Sequence, residues 1–177
     1  MAGIGQQDLA MATVTEIADH IEATHHEFLK RELPRLGEAA RAVSGAGGPL
    51  AQCAEVFRHL RSELESHLMK EEQILFPLCR TLDAATSLPS FHCVTVANPI
   101  RVMELEHRAA EDALARMRAL TSDYGAPEHA EPAVRAFVAG LAALDADLRE
   151  HIAKEDGLLH PRALALEEAL RRQGGDG

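Results

Sequence analysis

Apolar positions recur at helical spacing in four long segments of this chain, roughly residues 8–43, 50–81, 100–120 and 132–172. Within each segment they step by three and four, the spacing that keeps side chains on one face of an α-helix. Three breaks separate the segments. Ser44-Gly45-Ala46-Gly47-Gly48-Pro49 is a turn cluster, and residues 83–99 lack a helical pattern and contain Pro89 and Pro99. Residues 121–132 form the third break, with Pro132 placed to open a helix at its first position. Pro34 falls late in the first segment and is expected to kink or end that helix. The Gly174–Gly177 tail is expected to fray. Four helices with short connections predict an all-α fold, an up-down-up-down four-helix bundle, as a single domain over residues 1–177.

Composition supports this and narrows the function. Apolar residues make up 46% of the chain, Trp is absent and Tyr occurs once, at Tyr124. Scarce aromatics favour helix over sheet. A formal net charge of −10 argues against nucleic acid or an anionic membrane surface as partner. No apolar run is long enough to span a membrane, and no basic-then-apolar leader opens the chain. Cys53, Cys79 and Cys93 are odd in number and form no C-x-x-C pair, so a soluble protein of the reducing cytoplasm is expected. There is no Ser-His-Asp order, phosphate-binding loop or dinucleotide fingerprint.

The chemistry lies where polar residues interrupt the apolar stripes. The second segment's stripe runs Leu60, Leu64, His67, Glu71, Leu75, Leu78, and the fourth's runs Leu141, Leu144, Leu148, His151, Glu155, Leu158. Their contexts match: residues 67–77 read HLMKEEQILFP and residues 151–161 read HIAKEDGLLHP. Two inward carboxylates beside two imidazoles need a positive charge, and neither stripe carries Lys or Arg near them. A metal ion supplies it, and the i, i+4 spacing lets each His-Glu pair reach one centre. His59/Glu63 has the same spacing and reads as an ordinary solvent-facing pair.

The third segment places His107 on the stripe Met103, His107, Ala110, Leu114, Met117, with Glu111 at its edge. In the first segment, His25 fits a stripe with Ile17, Ile21 and Phe28, and His26 fits one with Leu29, Leu33 and Leu36. Periodicity does not choose between them, and His20 is a further candidate. One His per helix plus two Glu suits iron, manganese or zinc and leaves coordination positions open for a small ligand such as O2 or NO. A rival set pairs Glu22 with His25 and Glu104 with His107, as ferritin-like bundles do, and gives His67 and His151 no role.

At these residues the chain resembles the hemerythrin-like superfamily, and within it the iron-sulfur-cluster repair di-iron group. The matching segments are HHEFLKRELPRL (25–36), ELESHLMKEEQILFP (63–77), PIRVMELEH (99–107) and DLREHIAKEDGLLHPRAL (147–164). The resemblance carries the family's ligands onto His26, His67, Glu71, His107, His151 and Glu155, choosing His26 over His25. It implies two non-haem iron ions, carboxylate- and oxo-bridged, with O2, NO or peroxide as the reacting partner. It further implies a role in oxidative or nitrosative stress, including iron-sulfur cluster repair.

Three departures from the family stand out. Its full-length repair proteins often carry a small cysteine-containing N-terminal domain without counterpart in these residues. A further His often ends the first helix, where this chain reads Arg41-Ala42-Val43-Ser44-Gly45. The fourth-helix motif usually ends Leu-Phe-Pro and here reads Leu159-His160-Pro161, which reads as a packing or surface His. Two other functions fit the same site: a di-iron enzyme with peroxidase-like or NO-reducing activity, and a metal-responsive regulatory or interaction domain. The expected assembly is a monomer or homodimer.

Overall fold

The computed structural model describes residues 9–175. Four long helices dominate it, with no strand among the described residues. Helix α1 covers residues 14–43, α2 residues 48–83, α3 Ala97–Leu120 and α4 residues 132–175. None of the helices meets the length and hydropathy needed to cross a membrane.

The sequence-predicted segments are all present, with altered ends. Position 8 lies outside the described residues, and α1 starts at Val14 because Thr13 caps it. The Thr13 hydroxyl accepts the Glu16 N–H at 3.2 Å, and the Glu16 carboxylate accepts the Thr13 N–H at 2.8 Å. Pro34 does not end the helix, which runs unbroken from Glu27 to Val43. Buried Leu29, Leu33, Leu36 and Val43 hold the chain helical on both sides of the missing N–H. Gly47 and Gly48, at φ 71° and 59°, turn the chain into α2 in a region that favours glycine. Pro132 opens α4 as expected, and the helix extends to Gly175; the last two residues of the tail, Asp176 and Gly177, lie outside the described residues.

The packing is antiparallel between neighbours. Val14–Ile21 at the start of α1 contacts Phe76–Asp83 at the end of α2, while Glu27–Val43 contacts Gly48–Lys70. The two halves of α1 likewise meet α4 in reverse order, and α3 packs on α2. This is the expected bundle.

Three helices contain a five-residue π-helical turn: Glu22–His26 in α1, Glu71–Leu75 in α2 and Glu155–Leu159 in α4. In the last two, the N–H of Phe76 bonds the Glu71 carbonyl and that of His160 the Glu155 carbonyl, five residues back. Pro77 and Pro161, which cannot continue the α pattern at that point, follow at once. The sequence repeat is therefore a structural repeat. Each wide turn also adds a residue to the stripe: two successive residues face inward, His25 and His26 after Ile21, Leu75 and Phe76 after Glu71, and Leu159 and His160 after Glu155. Consequently Leu78 and Leu158, expected on the stripes, are only half-buried, and Cys79 and Leu159 are fully enclosed.

Two apolar cores result. One contains Leu29, Leu33, Phe57, Leu60, Leu114 and Leu141; the other contains Ile17, Ile21, Phe76, Leu82, Ile100 and Leu159. Cys53 lies in the first and Cys79 in the second, where burial pushes their thiols up to about 11 and about 12. Asp145 is buried at the α4 side of the first core and accepts from the Tyr124 hydroxyl (2.7 Å), Arg118 (2.6 Å) and Arg149. Phe57 meets Phe137 edge-on at 6.0 Å. Phe57→Ala is expected to cost about 3–5 kcal/mol in denaturant unfolding. Phe57 lies ten residues before His67, about 15 Å along the helix, so metal content measured on the folded variant should be unchanged.

Candidate metal centre

Between the two cores lies a polar layer. It gathers all six residues nominated from sequence: His26, His67, Glu71, His107, His151 and Glu155, each buried. Their donor atoms form two groups, each within 4.8 Å: His26, Glu71, His151 and Glu155 in one, and His67, Glu71, His107 and Glu155 in the other. Both glutamates belong to both groups. Glu71 Oε2 lies 3.3 Å from His26 Nε2, 3.2 Å from His67 Nε2 and 3.9 Å from His151 Nε2. Glu155 Oε1 lies 3.1 Å from His151 Nε2, and its Oε2 lies 3.0 Å from His107 Nε2.

These contacts lack hydrogen-bond geometry. The Nε2 atoms of His26, His107 and His151 and all four carboxylate oxygens of Glu71 and Glu155 have no hydrogen-bond partner among the described residues. Buried polar atoms are normally paired, as Asp145 is by its three donors. Unpaired lone pairs converging from two carboxylates and imidazole nitrogens form a donor set suited to first-row cations.

The outer nitrogens of three imidazoles are fixed from a neighbouring helix. His26 Nδ1 donates to Glu72 at 2.8 Å, His67 Nδ1 to Glu106 at 2.9 Å, and His107 Nδ1 to Asp156 at 2.9 Å. A carboxylate only accepts, so each Nδ1 carries a proton and each Nε2 points at the centre. Lys30, at 2.8 Å, and Lys70 in turn pair with Glu72 and Glu106. Glu72, Glu106 and Asp156 escaped sequence reasoning; their signal was position, since each directly follows or precedes a nominated ligand.

The other candidates lie elsewhere. His25 is buried but turns away: its Nδ1 donates to Asp147 at 2.9 Å and its Nε2 accepts from Lys154 at 2.9 Å. Lys154 also reaches His20 at 3.2 Å and Glu150 at 2.8 Å. The π turn in α1 explains why both first-segment stripes looked valid. Ile17 and Ile21 come from one and His26, Leu29, Leu33 and Leu36 from the other, spliced at the wide turn. His160 is buried and stacks on His107 at 5.8 Å, so it is a packing His rather than a surface one. Glu22 pairs with Arg80, and neither it nor Glu104 joins either donor group, so the ferritin-like set is not assembled. Glu63 and Glu111 are exposed, and His59 bonds Glu55 at 2.9 Å.

Residues 17–163 match the sequence profile of the Hemerythrin HHE cation binding domain. The chain belongs to the hemerythrin HHE family. Relatives include the "Iron-sulfur cluster repair protein YtfE" of Edwardsiella ictaluri, 38% identical over 162 residues, covering 89% of this chain and 69% of that protein. Proteins of the same name from Citrobacter koseri and Escherichia coli O81 are 33% identical over 164 residues, covering 90% of this chain and 70% of theirs.

The electrostatics of this hemerythrin-type layer are set by its carboxylates. Burial alone would lower His67, but Glu71 beside it outweighs burial and pushes the imidazole up to about 9. Burial is likewise overcome at His26 by Glu71 and at His107 by Glu155, and both are raised. Burial would raise Glu155, but His151 and His107 hold it well below the usual carboxylate range. A cation must displace these protons. In calorimetry, metal binding should release protons, and apparent affinity should rise with pH up to about 9, as His67 gives up its proton. In the chain freed of metal by a chelator, a raised imidazole stabilises below its unfolded value of 6.5 and ceases to above about 9. Unfolding should therefore become easier across that window.

Proposed function

We propose that this chain is a non-haem di-iron protein of hemerythrin type. It reacts with O2, NO or peroxide in oxidative and nitrosative stress, and serves iron-sulfur cluster repair in the cytoplasm. The observation that carries the reading is the pair of buried glutamates, Glu71 and Glu155, whose oxygens lack any hydrogen-bond partner among the described residues and are shared by two donor groups. In this reading His26 and His151 would hold one ion and His67 and His107 the other, with Glu71 and Glu155 available to both. Bound iron would supply a redox-active centre with room for a small exogenous ligand. The chain's own part is to hold three of the four imidazoles by their outer nitrogens and to exclude water with the apolar cores on either side.

A cavity of about 20 Å³ adjoins His67 and His107, walled by Leu60, Leu64, Ala110 and Ile152. That volume accommodates one water-sized molecule. It favours a diatomic ligand over a bulky substrate. The repair role follows the relatives' printed name, and the family supports iron over manganese or zinc.

Metal analysis after anaerobic purification should find two irons per chain, with new near-ultraviolet absorption on exposure to O2 or NO. Steady turnover of peroxide or NO would move the reading to a di-iron enzyme, and absence of stoichiometric metal would remove it. Glu71→Ala or Glu155→Ala should lose most of the metal, while Glu63→Ala retains it. Equal loss at Glu63 would mean that the binding face has been misplaced.

A further inference from the structure

The outer contacts of the four imidazoles follow a rule with one exception. His26 on α1 is held by Glu72 on α2, His67 on α2 by Glu106 on α3, and His107 on α3 by Asp156 on α4. Each supporting residue is the chain neighbour of a nominated ligand on the next helix. The rule would assign His151 on α4 to a neighbour of His26 on α1; Glu27 is exposed and pairs with Lys30, and His25 is the neighbour that lies against His151. It offers no acceptor. The two rings stack face to face, with centroids 5.3 Å apart and planes 2° from parallel. Both His25 nitrogens are engaged, one by Asp147 and the other by the Lys154 ammonium. His151 Nδ1 is buried and has no hydrogen-bond partner among the described residues.

An imidazole whose outer N–H is held by a carboxylate is a more basic and better oriented ligand, and losing that partner typically weakens metal binding 10- to 100-fold. The two positions are therefore unequal. The His67/His107 position has two carboxylate-backed imidazoles. The His26/His151 position has one, and a fixed ammonium sits on the ring that stacks against its other imidazole. We infer that the ion held by His26 and His151 is the more labile of the two, and that the ion held by His67 and His107 is retained longer. The inference rests on the two-metal reading above and adds which ion leaves first.

The test is chelator-driven release from the iron-loaded full chain, followed by metal absorbance. Two phases are expected, the first roughly ten-fold or more faster than the second, with one ion lost in each. Glu72→Gln should quicken the fast phase only, whereas Glu106→Gln and Asp156→Asn should quicken the slow phase only. Anomalous diffraction at the iron edge from half-depleted wild-type crystals supplies a readout that needs no variant. Iron remaining beside His67 and His107 supports the inference. Iron remaining beside His26 and His151, release of both ions in one phase, or a slow phase quickened by Glu72→Gln would overturn it. A chain that never holds two ions would instead defeat the two-metal reading itself.

Discussion

Glu71 and Glu155 place two carboxylates, fully buried, between four helices, and none of their oxygens finds a hydrogen-bond donor among the described residues. Burying one such charge without compensation is expensive. The surrounding structure meets the cost in concentric shells of alternating charge. Imidazoles face the carboxylates, and Glu72, Glu106 and Asp156 back three of those imidazoles. Lys30 and Lys70 close two of the outer carboxylates near the surface. Each shell is intelligible only from the one inside it. Asp145 shows how the chain treats a buried carboxylate meant to be stable on its own: it receives a tyrosine hydroxyl and two guanidinium groups.

The polar layer is possible because it is thin. Apolar cores enclose it on both sides, one built on Phe57, Leu114 and Leu141, the other on Ile17, Phe76 and Leu159. Bundle stability and site geometry thus rest on different residues within the same helices. Packing on either side fixes where the helices stand, and the layer between them inherits that placement.

Much of this was legible in the sequence. Helical periodicity placed four helices and put His67, Glu71, His107, His151 and Glu155 inward, because burial on a regular helix repeats every three or four residues. The family's motif was needed for His26. Periodicity failed there for a physical reason: a π turn changes the phase of the stripe, and side-chain spacing alone carries no sign of a wide turn. The same shift misplaced Leu78 and Leu158. The supporting acids were invisible for a different reason. Glu72, Glu106 and Asp156 look like ordinary surface residues, and only the approach of a neighbouring helix gives them an imidazole to hold. The capping box at Thr13 and Glu16 was readable, but the apolar pattern continuing upstream obscured it.

The three π turns also bear on how such a layer can arise. Each holds one residue more than a regular turn, and the helix beyond it still presents its apolar face to the core: Phe76 and Cys79 after the turn in α2, Ala163 and Leu170 after that in α4. The extra residue is absorbed locally, without rotating the distant half of the helix out of register. Each wide turn is in effect a tolerated insertion. Sequence change of this kind can remodel the middle of a bundle while both hydrophobic ends keep the partners they already had.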